Sequence, residues 1–123
     1  MDTTEAKKRT ITLTGRAPVT IVEADWPIIA KADADDARQP ELAVEANRKW
    51  QLRVRRHADG RTIVYGTYST HYQGDRDRRA GSMLTAALFE ADIANAIVHV
   101  ADALGGPERL AQDCIADLPA EVL

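Results

Sequence analysis

Aromatic side chains are scarce in this chain of 123 residues: two Trp, three Tyr and one Phe, 5% in all. A core must therefore be built mainly from Val, Ile, Leu and Ala, with Trp26, Trp50 and Phe89 as its expected anchors. There is one cysteine, Cys114, which excludes an intrachain disulfide. No apolar run approaches the ~18 residues that a membrane span needs. The opening Met1–Thr10 has no apolar h-region and no small-residue cleavage site, so no signal peptide is expected. A reducing, cytoplasmic setting fits these features. Catalytic signatures are missing too: there is no H-E-x-x-H, no paired C-x-x-C, no Walker sequence and no G-x-S-x-G elbow. The glycines of GDRDRRAG and Gly105-Gly106 match no phosphate-binding fingerprint. The expectation is a non-enzymatic protein without cofactor or metal.

What is present is an uneven layout of charge. Met1–Asn47 carries nine acidic and six basic side chains, Arg48–Arg79 nine basic and three acidic, and Ala80–Leu123 seven acidic and a single arginine, Arg109. The net charge of −3 thus hides a basic middle and an acidic tail. Such asymmetry bears on partners rather than on fold.

A chain of this length is expected to form one domain, residues 1–123, with residues 1–9 frayed. Thr10–Gly15 alternates Thr with Ile11 and Leu13 and reads as a strand, as does Val19–Glu23. The two can pair through Gly15–Pro18. Asp25 as N-cap and Pro27 in the first turn predict a short helix over Trp26–Ala32, burying Trp26, Ile28 and Ile29. Ala32–Asn47 reads as an acidic loop or a marginal helical turn.

Trp50, Leu52 and Val54 alternate with Gln51, Arg53 and Arg55, and Thr62–Tyr72 is rich in β-formers, so the intervening Asp59-Gly60 predicts a hairpin. A two-residue loop would set Val54 opposite Tyr65. A three-residue Ala58–Gly60 loop would set it opposite Val64 and is favoured, because only Gly60 then needs positive φ. Trp50, Leu52, Val54, Val64 and Tyr68 then face the core, and Arg53 and Arg55 face out. Gln73–Gly81 reads as a mobile charged connector. Ser82–Leu104 reads as a long helix with Phe89, Ile93, Ile97, Val100 and Leu104 at helical spacing, widened by Leu84, Leu88 and Val98. Gly105-Gly106 stops it and Pro107 opens a shorter helix marked by Leu110, Ile115 and Leu118. The resulting order, β-β-α-β-β-α-α, implies an α+β fold: an antiparallel sheet of about four strands packed against a long C-terminal helix.

The basic hairpin and connector are the candidate binding surface: Arg53, Arg55, Arg56, His57, Arg61, Tyr65, Tyr72, Arg76, Arg78 and Arg79. Forked guanidinium donors suit carboxylates and phosphates, and interleaved aromatics suit stacking on single-stranded nucleic acid. The bland alternative is a solvated sheet face covered by arginine stems. Asp75 and Asp77 interrupt the connector's arginines and weaken the nucleic-acid reading. Asp92, Asn95, His99 and Asp102 fall on one helical stripe, best read as solvent face because no second element supplies further ligands. Cys114 has no obvious general-base partner and reads as a buried or half-buried thiol.

The opening KKRTITLTGRAPVTIVEADWPIIAKA, the hairpin VRRHADGRTIVYG and the ending IADLPAEVL resemble small uncharacterised proteins carried by proteobacterial genomes and their phages and plasmids. The resemblance implies a mobile-element accessory or regulatory protein that binds something larger, with inhibitors of host defence such as anti-CRISPR proteins as one subclass. It carries over no site residue. The reading is a small binding or regulatory protein that acts through protein–protein contacts with an acidic protein surface. Opposite charge blocks also permit a homodimer. The alternative is a nucleic-acid-binding protein using the basic 48–79 hairpin.

Overall fold

The structure is a computed structural model and describes residues 6–36, 47–85 and 90–119. Its centre is the expected hairpin. β4 (Arg48–Arg56) and β5 (Thr62–Thr70) pair antiparallel with Val54 opposite Val64. The loop is Ala58–Gly60: His57 N–H donates to the Arg61 carbonyl and Gly60 N–H to the His57 carbonyl, both at 2.9 Å. Gly60 alone takes the left-handed conformation, at φ 98°.

Two further strands, β3 (Ile28–Asp35) and β6 (Arg78–Leu84), complete an antiparallel sheet of order β3-β4-β5-β6, and both correct the sequence reading. Residues Glu23–Asp25 form a 3-10 turn, and the segment expected to be helical runs as β3 (Ile28–Asp35). Ala30, Ala32 and Ala34 are buried against the helices while Lys31, Asp33 and Asp35 face out. This period-two pattern, paired to β4 from Ala30 opposite Val54 to Asp35 opposite Lys49, overrides the helix preference of alanine. Trp26 is buried as expected, Ile29 is half-buried, and Ile28 is 44% exposed. The second correction is β6 (Arg78–Leu84), which takes the end of the expected connector and the start of the expected helix. The helix α1 spans Glu90–Ala103, so Ser82, expected to begin the helix, lies in β6 instead. Phe89, Leu88 and most of the expected acidic loop lie outside the described residues.

One face of the sheet carries both helices. Ile93, Ile97, Val100 and Leu104, on α1 and the turn after it, meet Leu52, Val54, Val64 and Tyr68 in one core. Trp50 stacks on Tyr68 with ring centroids 5.1 Å apart, and its Nε1–H donates to the Leu104 carbonyl at 3.1 Å. That bond satisfies a carbonyl that α1 leaves unpaired at its end. Gly105 then turns at φ 67°, and α2 (Glu108–Ala116) follows Pro107, burying Leu110 and Cys114.

The other face is half covered. β1 (Lys8–Ile11) and β2 (Val19–Val22) form a separate antiparallel pair, β1 beginning inside the segment expected to fray. Ile11, Leu13 and Ile21 from this hairpin, with Trp26, pack on Ile63 and Tyr65 in a second core. Residues 12–14 leave β1 along the β6 edge, where Thr14 N–H donates to the Gly81 carbonyl at 2.9 Å. Gly81 is required there, because a Cβ would collide with the Thr12 carbonyl. The fold is thus α+β, with a four-stranded sheet sandwiched between two helices and a two-stranded cap.

Candidate contact surface

The cap covers only the half of the sheet nearest the 57–61 turn. Beyond it, cross-strand neighbours form rows of polar side chains: Asp33, Gln51, Thr67 and Arg79 in one row, Asp35, Lys49 and Ser69 in the next. Lys31 lies beside Arg53 at the border with the cap. All of these are exposed except Arg53 and Thr67, which are half-buried. Four bases, Lys31, Lys49, Arg53 and Arg79, share the patch with two acids, Asp33 and Asp35. Arg53 Nη1 is 2.7 Å from Asp33 Oδ1 and also reaches the Leu52 carbonyl at 2.8 Å, which holds its stem flat on the sheet.

On the opposite side of the molecule the helices expose Asp92, Asp102, Glu108 and Asp113, with Arg109 as the one exposed base among their described residues. Part of the basic block, Lys49, Arg53 and Arg79, thus lies on the bare sheet, and acids of the last block lie on the helix layer.

The ten sequence-chosen binding residues do not form one site. Arg53 and Arg79 lie on the bare sheet. Arg55 and Tyr65, expected outside, are buried at 6% and 9% exposure beneath the cap. Arg55 donates from Nε to Tyr65 Oη at 2.9 Å and from Nη1 to the Trp26 carbonyl at 3.0 Å, and its Nη2 lies 3.6 Å from Glu23 Oε1. Period-two reasoning placed Arg55 on the correct face, but that face is not all solvent. Arg9 also bonds Glu23, Nε to Oε1 at 2.7 Å, and holds that carboxyl below the usual carboxylate range.

His57 and Arg61 at the turn are committed to Trp26. The His57 ring meets the indole edge-on at 5.1 Å, and the Arg61 guanidinium sits 5.0 Å from its centroid. Arg61 Nε also bonds Asp59 Oδ2 at 2.8 Å. Arg56 is half-buried on the helix side of the same end, its N–H bonded to the Pro27 carbonyl at 3.1 Å.

The connector is organised by its two acids. Asp75 accepts the Tyr68 hydroxyl and stands 3.8 Å from Arg48 Nε and 3.9 Å from Arg78 Nη2. The Tyr68 bond, with bonds from Thr70 and the Arg76 N–H and the Arg48 guanidinium nearby, holds the Asp75 carboxyl low, and burial pushes the Tyr68 hydroxyl up. Asp77 accepts Thr70 N–H at 3.0 Å. Arg48 covers the Tyr72 ring at 4.7 Å, and Arg78 covers Tyr68 at 5.2 Å. Arg76 is exposed. The acids that interrupt this arginine run thus fix its geometry and offset part of its charge.

Sequence reasoning missed Lys31, Gln51, Thr67 and Ser69 as surface partners of Arg53 and Arg79. The signal was the alternation of alanine with Lys31, Asp33 and Asp35, overruled by the helix-start residues before it.

Asp92, Asn95, His99 and Asp102 are all exposed on α1, and no group of three or more His, Cys, Asp or Glu among the described residues is placed to hold a metal ion. Cys114 is fully buried, and burial pushes its thiol up to about 12, so it is protonated at neutral pH. No helix among the described residues is long and apolar enough to cross a membrane. Comparison with family models, with curated proteins and with solved structures finds no match.

Proposed function

We propose that this chain is a non-enzymatic binding protein whose contact surface is the bare half of the sheet, and that its partner presents an acidic protein surface. The observation that carries this reading is the flat polar patch of Lys31, Lys49, Arg53 and Arg79 around Gln51, Thr67 and Ser69, left open by a cap that stops halfway. Short side chains in the middle and cations around them leave room for a partner's carboxylates, and the rigid ladder beneath limits the ordering cost of binding. Such a protein suits the accessory role of a mobile element, including inhibition of a host-defence complex.

A nucleic-acid partner is less well served. The patch has no aromatic platform, because Tyr65 and Tyr68 are buried and Tyr72 lies off it beneath Arg48. Asp33 and Asp35 sit among its bases, and the net charge of −3 gives no long-range attraction to phosphate.

The test is capture of partners from host lysate, with and without nuclease, by the wild type, by Lys49→Glu/Arg79→Glu and by the opposite-face control Asp102→Lys/Asp113→Lys. The reading expects nuclease-resistant capture that only the sheet-face reversal abolishes. Capture that nuclease removes, together with steeply salt-dependent binding to random-sequence DNA or RNA, would replace it with the nucleic-acid reading.

A further inference from the structure

A cavity of about 180 Å³ opens where the β1–β2 turn, β6 and α1 meet. Arg16 reaches it from the turn, His99 from α1, Ser82 from β6 and Thr14 from the segment along the β6 edge. Leu13 and Met83 supply apolar wall, and no carboxylate among the described side chains lines it. Three elements distant in sequence therefore bring a guanidinium, an imidazole and two hydroxyls to one small space.

The geometry around it is fixed. Thr14 N–H donates to the Gly81 carbonyl at 2.9 Å, and Gly81 N–H donates back to Thr14 Oγ1 at 3.3 Å. Thr14 Oγ1 therefore accepts from the strand, which leaves its own proton to donate. Among the described residues neither the Arg16 guanidinium nor the His99 ring has a hydrogen-bond or ion-pair partner. In this they differ from Arg9, Arg53, Arg55 and Arg61, each of which is bound to an acid or a carbonyl.

We propose that this cavity is an oxyanion site that takes a phosphate group. Arg16 supplies forked donors that match phosphate oxygens. His99 offers a ring N–H in either charge state, and the hydroxyls of Thr14 and Ser82 supply neutral donors. Size sets the ligand class. Pockets for drug-sized ligands run from about 300 Å³ upward, so this space suits one tetrahedral group, free or as the head of a small monoester, and excludes a nucleoside. The site is separate from the sheet patch and goes beyond the protein-binding reading.

The test follows the His99 ring C–H resonances by NMR while inorganic phosphate, and in a second arm O-phosphoserine, is added at low ionic strength. Saturable shifts are expected with inorganic phosphate. Saturation by O-phosphoserine at lower concentration would identify the monoester as the better occupant, and a response to inorganic phosphate alone would identify the free ion. Arg16→Gln should weaken the affinity by about tenfold or more, a change of ~1.4 kcal/mol, with the thermal midpoint unchanged. Lys49→Glu, on the bare sheet, should leave it as in the wild type. Shifts that do not saturate, an Arg16→Gln variant that binds as well as the wild type, or equal loss in Lys49→Glu would each overturn the proposal.

Discussion

Arg55 donates from Nε to the hydroxyl of Tyr65 at 2.9 Å, and the two side chains lie together under the N-terminal hairpin. The pair ties the sheet to its cap, because the same guanidinium also serves the Trp26 carbonyl. Arg55→Ala would strip both buried acceptors of their donor. Each orphaned group costs about 1–3 kcal/mol, so the variant is expected to lose roughly 2–6 kcal/mol in urea unfolding. Arg53→Ala, whose partner Asp33 is exposed, should lose less than about 1 kcal/mol. Equal small losses for both would place Arg55 in solvent.

That contrast marks where the sequence stopped being legible. Alternation through Trp50, Leu52 and Val54, and Gly60 as the lone left-handed residue of the Ala58–Gly60 loop, were enough to set the hairpin and its register. Helical spacing likewise found Ile93, Ile97, Val100 and Leu104. Period two assigns Arg53 and Arg55 to one face but carries no information on what covers that face, and the cover comes from a strand pair far away in the chain. β3 and β6 were hidden for a related reason. Their core positions are Ala30, Ala32, Ala34 and Ala80, and alanine marks a strand only where partners on both sides are known. The candidate patch was therefore half legible: Arg53 and Arg79 from the charge run, Lys31 only from the fold.

The cap rests on Gly81. A Cβ there would strike the Thr12 carbonyl and stand 3.3 Å from Leu13 Cδ2, and backbone cannot move aside as a flexible side chain can. Gly81→Ala is expected to cost about 1–3 kcal/mol, as overpacking does. The loss should be local: faster amide exchange at Thr14 than in the wild type, with amides of β4 and β5 retaining their protection. Uniform loss of protection across the sheet would show that the cap and the sheet do not separate.

Cys114 gives a pH dependence with a definite sign. Its thiol is raised to about 12 in the folded state, whereas an unfolded chain ionises it near ~8.5. The unfolded state therefore loses its proton first, and stability falls as pH rises between those two values. Below the lower one the contribution is complete. Cys114→Ala should flatten the alkaline limb of the stability profile. Thiol labelling of the native protein at pH 8 should proceed only as fast as the protein opens. Immediate stoichiometric labelling would contradict the burial of this side chain.

The outer edge of β3 is guarded by α2 and the turn after it. Lys31 N–H donates to Asp117 Oδ2 at 2.9 Å, and Arg109 Nη2 reaches the Asp35 carbonyl at 3.5 Å. An open strand edge is a template for pairing with another chain, so these two side chains keep the sheet from growing. Asp117→Ala should cost about 1 kcal/mol and speed exchange of the Lys31 amide by roughly tenfold. Asp117→Asn keeps an acceptor oxygen and should restore most of that protection. In Asp117→Ala/Arg109→Ala both guards are gone, and concentration-dependent association through β3 is expected by sedimentation. A double variant that stays as monodisperse as the wild type at the same concentration would show that the edge is protected by something other than these two residues.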